Sequence, residues 1–173
     1  LEQFLALLQR WNATYNLTAV RDVVAMRTQH LADCVAVVPA LQRIDAKRVL
    51  DVGSGGGLPG VVIAVLMPQT QVVCVDAVGK KAAFVRQAAG TLGLPNLHAE
   101  HYRVEDLRAP PFDLITSRAF AALFDFTQMT RRHLAPGGVW AAMKGQVPDA
   151  EIAALPADIE MFHVEHLAVP GLD

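Results

Sequence analysis

Cysteine is nearly absent: Cys34 and Cys74 are the only two among 173 residues. Two thiols make no disulfide framework, and Cys74 lies inside the apolar run Val72-Val73-Cys74-Val75. Both therefore read as ordinary buried thiols of a reducing compartment. Charge is sparse as well. Charged residues make up 18% of the chain and the formal net charge is −2, which excludes a global positive field. A nucleic-acid partner would have to be met by a local basic face or by shape. No stretch reaches about 18 uncharged apolar residues, the length that marks a membrane span, and the opening residues lack the layout of a secretory signal. Repeats and low-complexity tracts are missing too. These absences lead to the expectation of a soluble, cytoplasmic, monomeric protein without a membrane partner.

What is present is apolar. Hydrophobic residues make up 53% of the chain, enough for one compact domain with a sizeable core. Phe4, Leu7, Leu8 and Trp11 recur at helical spacing. A polar turn is expected over 12–18, and Asp22 is a fair N-cap for a second helix running towards Pro39. From about Lys47 short β-branched runs alternate with helical stretches. The strands predicted are 48–52, 71–76, 97–101, 112–117, 139–144 and 159–167, and the helices between them 60–67, 79–92, 123–134 and 149–155. Gly93 stands where a helix C-cap glycine is expected, and Pro136-Gly137-Gly138 reads as a tight turn before the fifth strand. This βαβ alternation predicts an α/β fold with a doubly wound, mostly parallel sheet. A helical cap over 1–46 and an α/β core over 47–173 would form the single domain. Ligands of such sheets bind beyond the carboxyl ends of the strands, at the switch point.

One loop sits where that ligand should be. The strand Val49-Leu50-Asp51-Val52 runs into Gly53-Ser54-Gly55-Gly56-Gly57-Leu58-Pro59-Gly60. Glycines let the backbone turn sharply and approach a ligand closely. Pro59 suits the first turn of the next helix, whose N-terminus would offer free N–H groups to a polar ligand. Read from Gly55, the segment fits the Gly-x-Gly-x-x-Gly dinucleotide fingerprint. Read from Asp51 it is Asp-x-Gly-x-Gly-x-Gly, which looks like the first motif of class I methyltransferases. The acidic residue within the strand and four glycines in the five positions 53–57 favour the second reading. Asp76, 19 residues past Gly57, ends the next strand. A carboxylate there accepts ribose hydroxyls and supports a nucleoside cofactor without choosing between the two.

Further motifs carry a resemblance. Trp11-Asn12-Ala13-Thr14-Tyr15-Asn16-Leu17-Thr18-Ala19-Val20-Arg21-Asp22, the glycine segment from Leu50 to Gly60, Ser117-Arg118-Ala119-Phe120-Ala121 and Met143-Lys144-Gly145-Gln146 resemble the RsmG (GidB) family. Its members use S-adenosylmethionine to methylate N7 of a guanine in 16S ribosomal RNA. The resemblance implies a class I, Rossmann-like methyltransferase fold. It also implies that Asp51, Gly53, Gly55, Gly57, Leu58 and Asp76 hold the cofactor, that Val104 and Glu105 frame its adenine, and that Arg118 stands beside cofactor and target base. Departures are visible. Where the family usually shows Arg-His and Leu-Asp-Ser, this chain has Gln29-His30 and Ala32-Asp33-Cys34, so the resemblance carries no role onto His30 or Asp33. The family's last antiparallel strand and basic tail have no counterpart before Leu172-Asp173.

Guanine N7 carries an available lone pair, so methyl transfer needs alignment and electrostatics rather than a covalent nucleophile. Arg118 and Lys144 are the candidate catalytic or substrate contacts: Arg118 for guanine O6 or a phosphate, Lys144 for a phosphate. Phe120 is a candidate for stacking on a base or for packing in the core. Lys80-Lys81 with Arg86, and Arg131-Arg132-His133, are short basic clusters that suit solvated faces or RNA phosphates. His163-Val164-Glu165-His166 has no further ligands near it, and no metal is expected. Two other classes of function stay open at this point: a nicotinamide-dependent oxidoreductase, and a non-catalytic ribosome-assembly factor that keeps the cofactor pocket. The partner expected for a weakly acidic enzyme choosing one guanine is a structured small-subunit particle.

Overall fold

Five strands pair in one fully parallel sheet of order β3-β2-β1-β4-β5 in the computed structural model, which describes residues 1–118 and 120–169. They are β1 (Arg48–Val52), β2 (Gln71–Asp76), β3 (Leu97–His101), β4 (Phe112–Arg118) and β5 (Leu134–Met143). Ala119 and residues 170–173, which close the sequence, lie outside the described set. β1 and β2 are near-continuous buried runs because helices cover both faces, whereas the edge strand β3, Leu-His-Ala-Glu-His, buries only Leu97 and Ala99. On one face Val49, Val72, Cys74 and Leu114 share a cluster with Phe4, Leu8, Met26, Cys34, Leu41, Val61 and Phe84. That cluster joins the sheet to α1 (Glu2–Tyr15), α2 (Val23–Met26), α3 (Asp33–Gln42), α4 (Gly60–Leu66) and α5 (Gly79–Leu92). On the other face Leu50, Val52, Val75 and Ile115 pack with Phe126 of α6 (Leu123–Thr130) and with Val104 and Leu107. A last short helix, α7, spans Asp149–Ala153. The order of successive strands runs outward from β1 on one side and from β4 on the other, which opens a crevice at the carboxyl ends of β1 and β4. Among the described residues no helix is long and apolar enough to cross a membrane.

Several boundaries differ from those predicted. α1 runs on to Tyr15 through the expected polar turn, because Asn12 is buried and uses its amide to fix the loop that follows. Asp22 does cap the second helix, accepting from Ala25 N–H at 2.7 Å. That helix passes through the π-helical turn Arg27–Ala32 and continues past Pro39 to Gln42. Burial of Val38 and Leu41, worth roughly 1.5–3 kcal/mol each, offsets the roughly 3 kcal/mol of an interior proline. The helix predicted over 123–134 ends at Thr130 and gives way to a 3-10 turn, Arg131–His133. β5 then starts at Leu134, and Pro136-Gly137-Gly138 forms an irregularity within it, between the pairs Phe112↔Leu134 and Leu114↔Val139. The strand predicted over 159–167 does not form. A strand needs a ladder partner, and this segment pairs with none: Phe162 is 67% and Val164 49% exposed. Side-chain ion pairs tie it down instead, Arg43 to Glu165 within the segment and Arg131 to Asp158 just before it.

One buried carboxyl ties the sheet to its first crossover helix. Asp51 is completely buried, and its Oδ2 accepts the N–H of Gly60, the first residue of α4, at 2.8 Å. Its Oδ1 has no partner. The Val61 N–H is taken by Gly57 O at 2.7 Å. The helix start therefore does not offer these N–H groups to a ligand, contrary to the expectation from sequence, because Asp51 and the turn itself already satisfy them. Burial pushes the Asp51 carboxyl up from 3.8 to about 7, against the pull of the Gly60 N–H and of Arg118.

Two tests follow. Phe84 is fully buried against Phe4 and Trp11, so Phe84→Ala should cost about 3–5 kcal/mol in urea unfolding. Asp51 has a folded pKa raised above its unfolded one, so its contribution to stability is complete below pH 3.8 and is lost as pH rises through about 7. Denaturation of Asp51→Asn and the unsubstituted protein between pH 5 and 8 should show the asparagine variant gaining relative stability as pH rises. A constant difference across that range would mean that Asp51 does not titrate there.

Candidate functional site

The glycine turn is folded over the end of β2. Gly53 N–H and Ser54 N–H both donate to Val75 O, at 2.9 and 3.3 Å. Gly55 N–H donates to Asp76 Oδ2 at 2.9 Å, and Val78 N–H to Asp76 Oδ1 at 2.8 Å. Asp76 thus organises both the loop after β1 and the start of α5, and each of its oxygens keeps a lone pair for another donor. Gly53 has φ +65°, and a Cβ there would stand 2.5 Å from the Phe120 ring. Gly57 has φ +80°, and its Cβ would stand 2.6 Å from Val61. Glycine is required at the first by contact with the cleft wall and at the second by helix packing. The Leu58–Pro59 peptide is cis.

Two cavities meet at Gly53. The smaller, about 170 Å³, is lined by Val52, Val75, Asp76, Tyr102, Val104, Glu105, Phe120 and Met129. The larger, about 540 Å³, is lined by Thr18, His30, Asp33, Ser54, Gly55, Leu58, Lys81, Arg118 and Lys144. Together they form one cleft across the carboxyl edge of the sheet. Of the residues singled out in the sequence, Gly53, Gly55, Leu58, Asp76, Val104, Glu105, Arg118 and Lys144 line it. Asp51 and Gly57 do not; they lie beneath the turn and support its shape.

The wall of the smaller cavity is held from behind. Val104 opens the 3-10 turn Val104–Asp106, and its carbonyl accepts from His133 Nε2 at 2.7 Å. Arg132 Nη2 donates to Leu107 O at 2.9 Å. Of the Arg131-Arg132-His133 cluster, His133 and Arg132 thus brace this turn, while Arg131 pairs with Asp158 at the surface. Phe120 packs edge-on against Phe126, with centroids 6.4 Å apart, and lines the smaller cavity. It is a wall of that cavity and packs into the second core cluster.

Arg118 ends β4 and meets three acceptors from one helical segment. Its Nη1 donates to Gln29 O at 3.3 Å, to His30 Nδ1 at 3.2 Å and to Asp33 Oδ2 at 3.5 Å. Only 21% of the Arg118 side chain is exposed, so solvent screens these contacts poorly. The π-helical turn Arg27–Ala32 closes on Asp33, whose N–H donates to His30 O, and π-turns recur at functional sites. Lys144 Nζ is bound to Glu151 Oε2 at 2.8 Å and Ala121 O at 2.9 Å. Glu151 Oε2 also accepts Leu123 N–H, at the start of α6. The lysine lines the cleft while its ammonium is engaged in this clamp, and the clamp draws the Glu151 carboxyl below its usual range.

Sequence reasoning left His30, Asp33 and Thr18 without a role. Their signal was the spacing of 30 and 33 on one helix face, but the partner that gives it meaning lies 85 residues or more away. Ser54 was overlooked: its hydroxyl is buried at the rim of the larger cavity without a hydrogen-bond partner. Among the described residues no group of three His, Cys, Asp or Glu side chains could hold a metal ion.

The family model for GidB, rRNA small subunit methyltransferase G, matches residues 1–173. The chain is 62% identical over 180 residues to the ribosomal RNA small subunit methyltransferase G of Acidovorax ebreus, covering 98% of this chain and 79% of that protein. It is 60% identical over 173 residues to the protein of the same name in Leptothrix cholodnii, with the same coverage. Among solved structures it resembles TrmN from Thermus thermophilus, with a TM-score of 0.61, 25% identity and coverage of 82% of this chain and 45% of that one. Coclaurine N-methyltransferase, solved with N-methylheliamine and SAH, shares the fold alone, at a TM-score of 0.56, 16% identity and coverage of 81% and 42%. The sheet and cleft are thus those of a Rossmann-like methyltransferase, and the chain belongs to the GidB family, rRNA small subunit methyltransferase G.

Proposed function

We propose that this chain transfers a methyl group from S-adenosylmethionine to N7 of one guanine of 16S ribosomal RNA, within the small ribosomal subunit and in the cytoplasm, acting as a monomer. The observation that carries the reading is the two-part cleft meeting at Gly53, with a carboxylate in one part and a guanidinium in the other. The donor set suits the cofactor. Asp76 keeps a lone pair on each oxygen for two ribose hydroxyls. Val104 and Met129 give an apolar wall to a flat base, with Glu105 beside them for its amino edge.

The chemistry such a cofactor supplies when bound is a methyl on a sulfonium centre, which a ring nitrogen takes in line without first losing a proton. The residues therefore need only align and stabilise. Gly53 lets the two parts of the cleft join. Arg118, held at the mouth of the larger cavity, serves guanine O6 or a flanking phosphate and leaves N7 free. Lys144 supports the cleft through Glu151 and the start of α6, and reaches RNA only by leaving that clamp.

With labelled cofactor and small subunits lacking the modification, label should land on N7 of one 16S guanine, and stripped 16S RNA should take up far less. Arg118→Ala should abolish labelling with cofactor binding retained. Asp76→Ala should weaken cofactor binding about tenfold to a hundredfold by calorimetry, the loss of hydrogen bonds to a charged group. Cofactor binding without label on any guanine would leave a non-catalytic assembly factor as the better account.

A further inference from the structure

The motifs Trp11-Asn12 through Thr18 and Ser117-Arg118 stand far apart in the sequence, and His30 joins them. Arg118 Nη1 is 3.2 Å from His30 Nδ1, and His30 Nε2 is 2.6 Å from Thr18 Oγ1. Thr18 is fixed in turn by Asn12, whose Oδ1 accepts Thr18 N–H at 2.8 Å and whose Nδ2 donates to Val20 O at 3.0 Å. A guanidinium has donors only. Nδ1 must therefore be bare, and the ring proton sits on Nε2, donating to Thr18 Oγ1. The ring's rotation and tautomer are both set from the N-terminal helix, and of the three acceptors around Nη1 the imidazole is the nearest.

We propose that His30 is a positioning residue for the methyl transfer: uncharged, with its proton on Nε2, it holds the Arg118 guanidinium at the mouth of the cleft, and a proton added at Nδ1 releases it. The proposal rests on the reading of Arg118 as the substrate-side residue. The charged groups facing the imidazole are Arg118 from β4 and Asp33 from α3; Lys81 and Lys144 line the same cavity. Burial and then Arg118 hold the His30 pKa below 6.5, with the Gln29 backbone and Asp33 opposing. The ring is therefore neutral at pH 7, and gains a proton, turning an acceptor into a donor against a guanidinium, only in acid solution.

Nitrogen-detected NMR of the cofactor-free protein tests the pairing without relying on activity. It should show His30 as the Nε2–H tautomer, and Arg118→Ala should move its titration upward. His30→Ala should lower kcat roughly tenfold to a hundredfold, the scale of a small misplacement, with cofactor affinity unchanged. His30→Asn, whose Oδ1 replaces the Nδ1 acceptor, should recover most of the rate and lack the loss of activity that the unsubstituted enzyme shows as pH falls below 6.5. An Nδ1–H tautomer, an unmoved titration in Arg118→Ala, or an unchanged kcat in His30→Ala would overturn the proposal. If the NMR result holds and small subunits are not methylated at all, the coupling stands and the functional reading fails.

Discussion

The Val75 carbonyl and the Asp76 carboxylate, side by side at the end of β2, are what the rest of the site depends on. Three successive N–H donors of the glycine turn, from Gly53, Ser54 and Gly55, point down onto them. This clasp closes the turn over the sheet edge and leaves no N–H of those three residues buried without a partner. It also sets Gly53 at the junction of the two cavities, where a side chain would strike Phe120. The same carboxylate starts α5 through Val78, so cleft wall and helix are located by one group. A loop of this kind needs φ near +60° at Gly53 and Gly55 and near +80° at Gly57, which explains the density of glycine better than flexibility does.

Around that clasp the polar residues fall into two kinds. Some line the cleft with capacity to spare: Asp76 and Glu105. Others spend their bonds on holding walls in place. His133 and Arg132 brace the turn that carries Val104, Glu151 braces Lys144 and α6, and Asp51 braces α4. Asp51 is the extreme case, a carboxyl buried completely for one good hydrogen bond, and its raised pKa records what that burial costs the charged form. Arg118 belongs to both kinds, since it is partly exposed to the larger cavity and also bonded to the helix opposite.

The N-terminal helices contribute more than a covering layer. α1 packs Trp11 and Phe4 around Phe84, and beyond Asn16 the loop reaches the cleft through Thr18. The chain Asn12, Thr18, His30, Arg118 runs from a helix at the start of the sequence to the end of a central strand. Packing on one face of the sheet is what holds the two ends of that chain in register.

By itself the sequence determined β1, β2 and β3 to the residue, the glycine turn, and the placing of Asp76, Val104, Glu105 and Arg118 at the carboxyl edge. These follow from local rules: β-branched runs between turn residues, glycines where φ turns positive, and the parallel sheet that places every strand end on one side. Tertiary structure decided the rest. Asp51 turned out to be a helix tie and Gly57 a packing necessity, because what lies above a strand residue depends on the crossover helix. β5 began five residues earlier than its apolar run, since Leu134 found Phe112 across the sheet. The alternation over 159–167 gave no strand, because periodicity specifies a face and not a partner. His30 and Asp33 acquired meaning only when the fold brought Arg118 to them across more than eighty residues of chain, a distance over which no local pattern carries information.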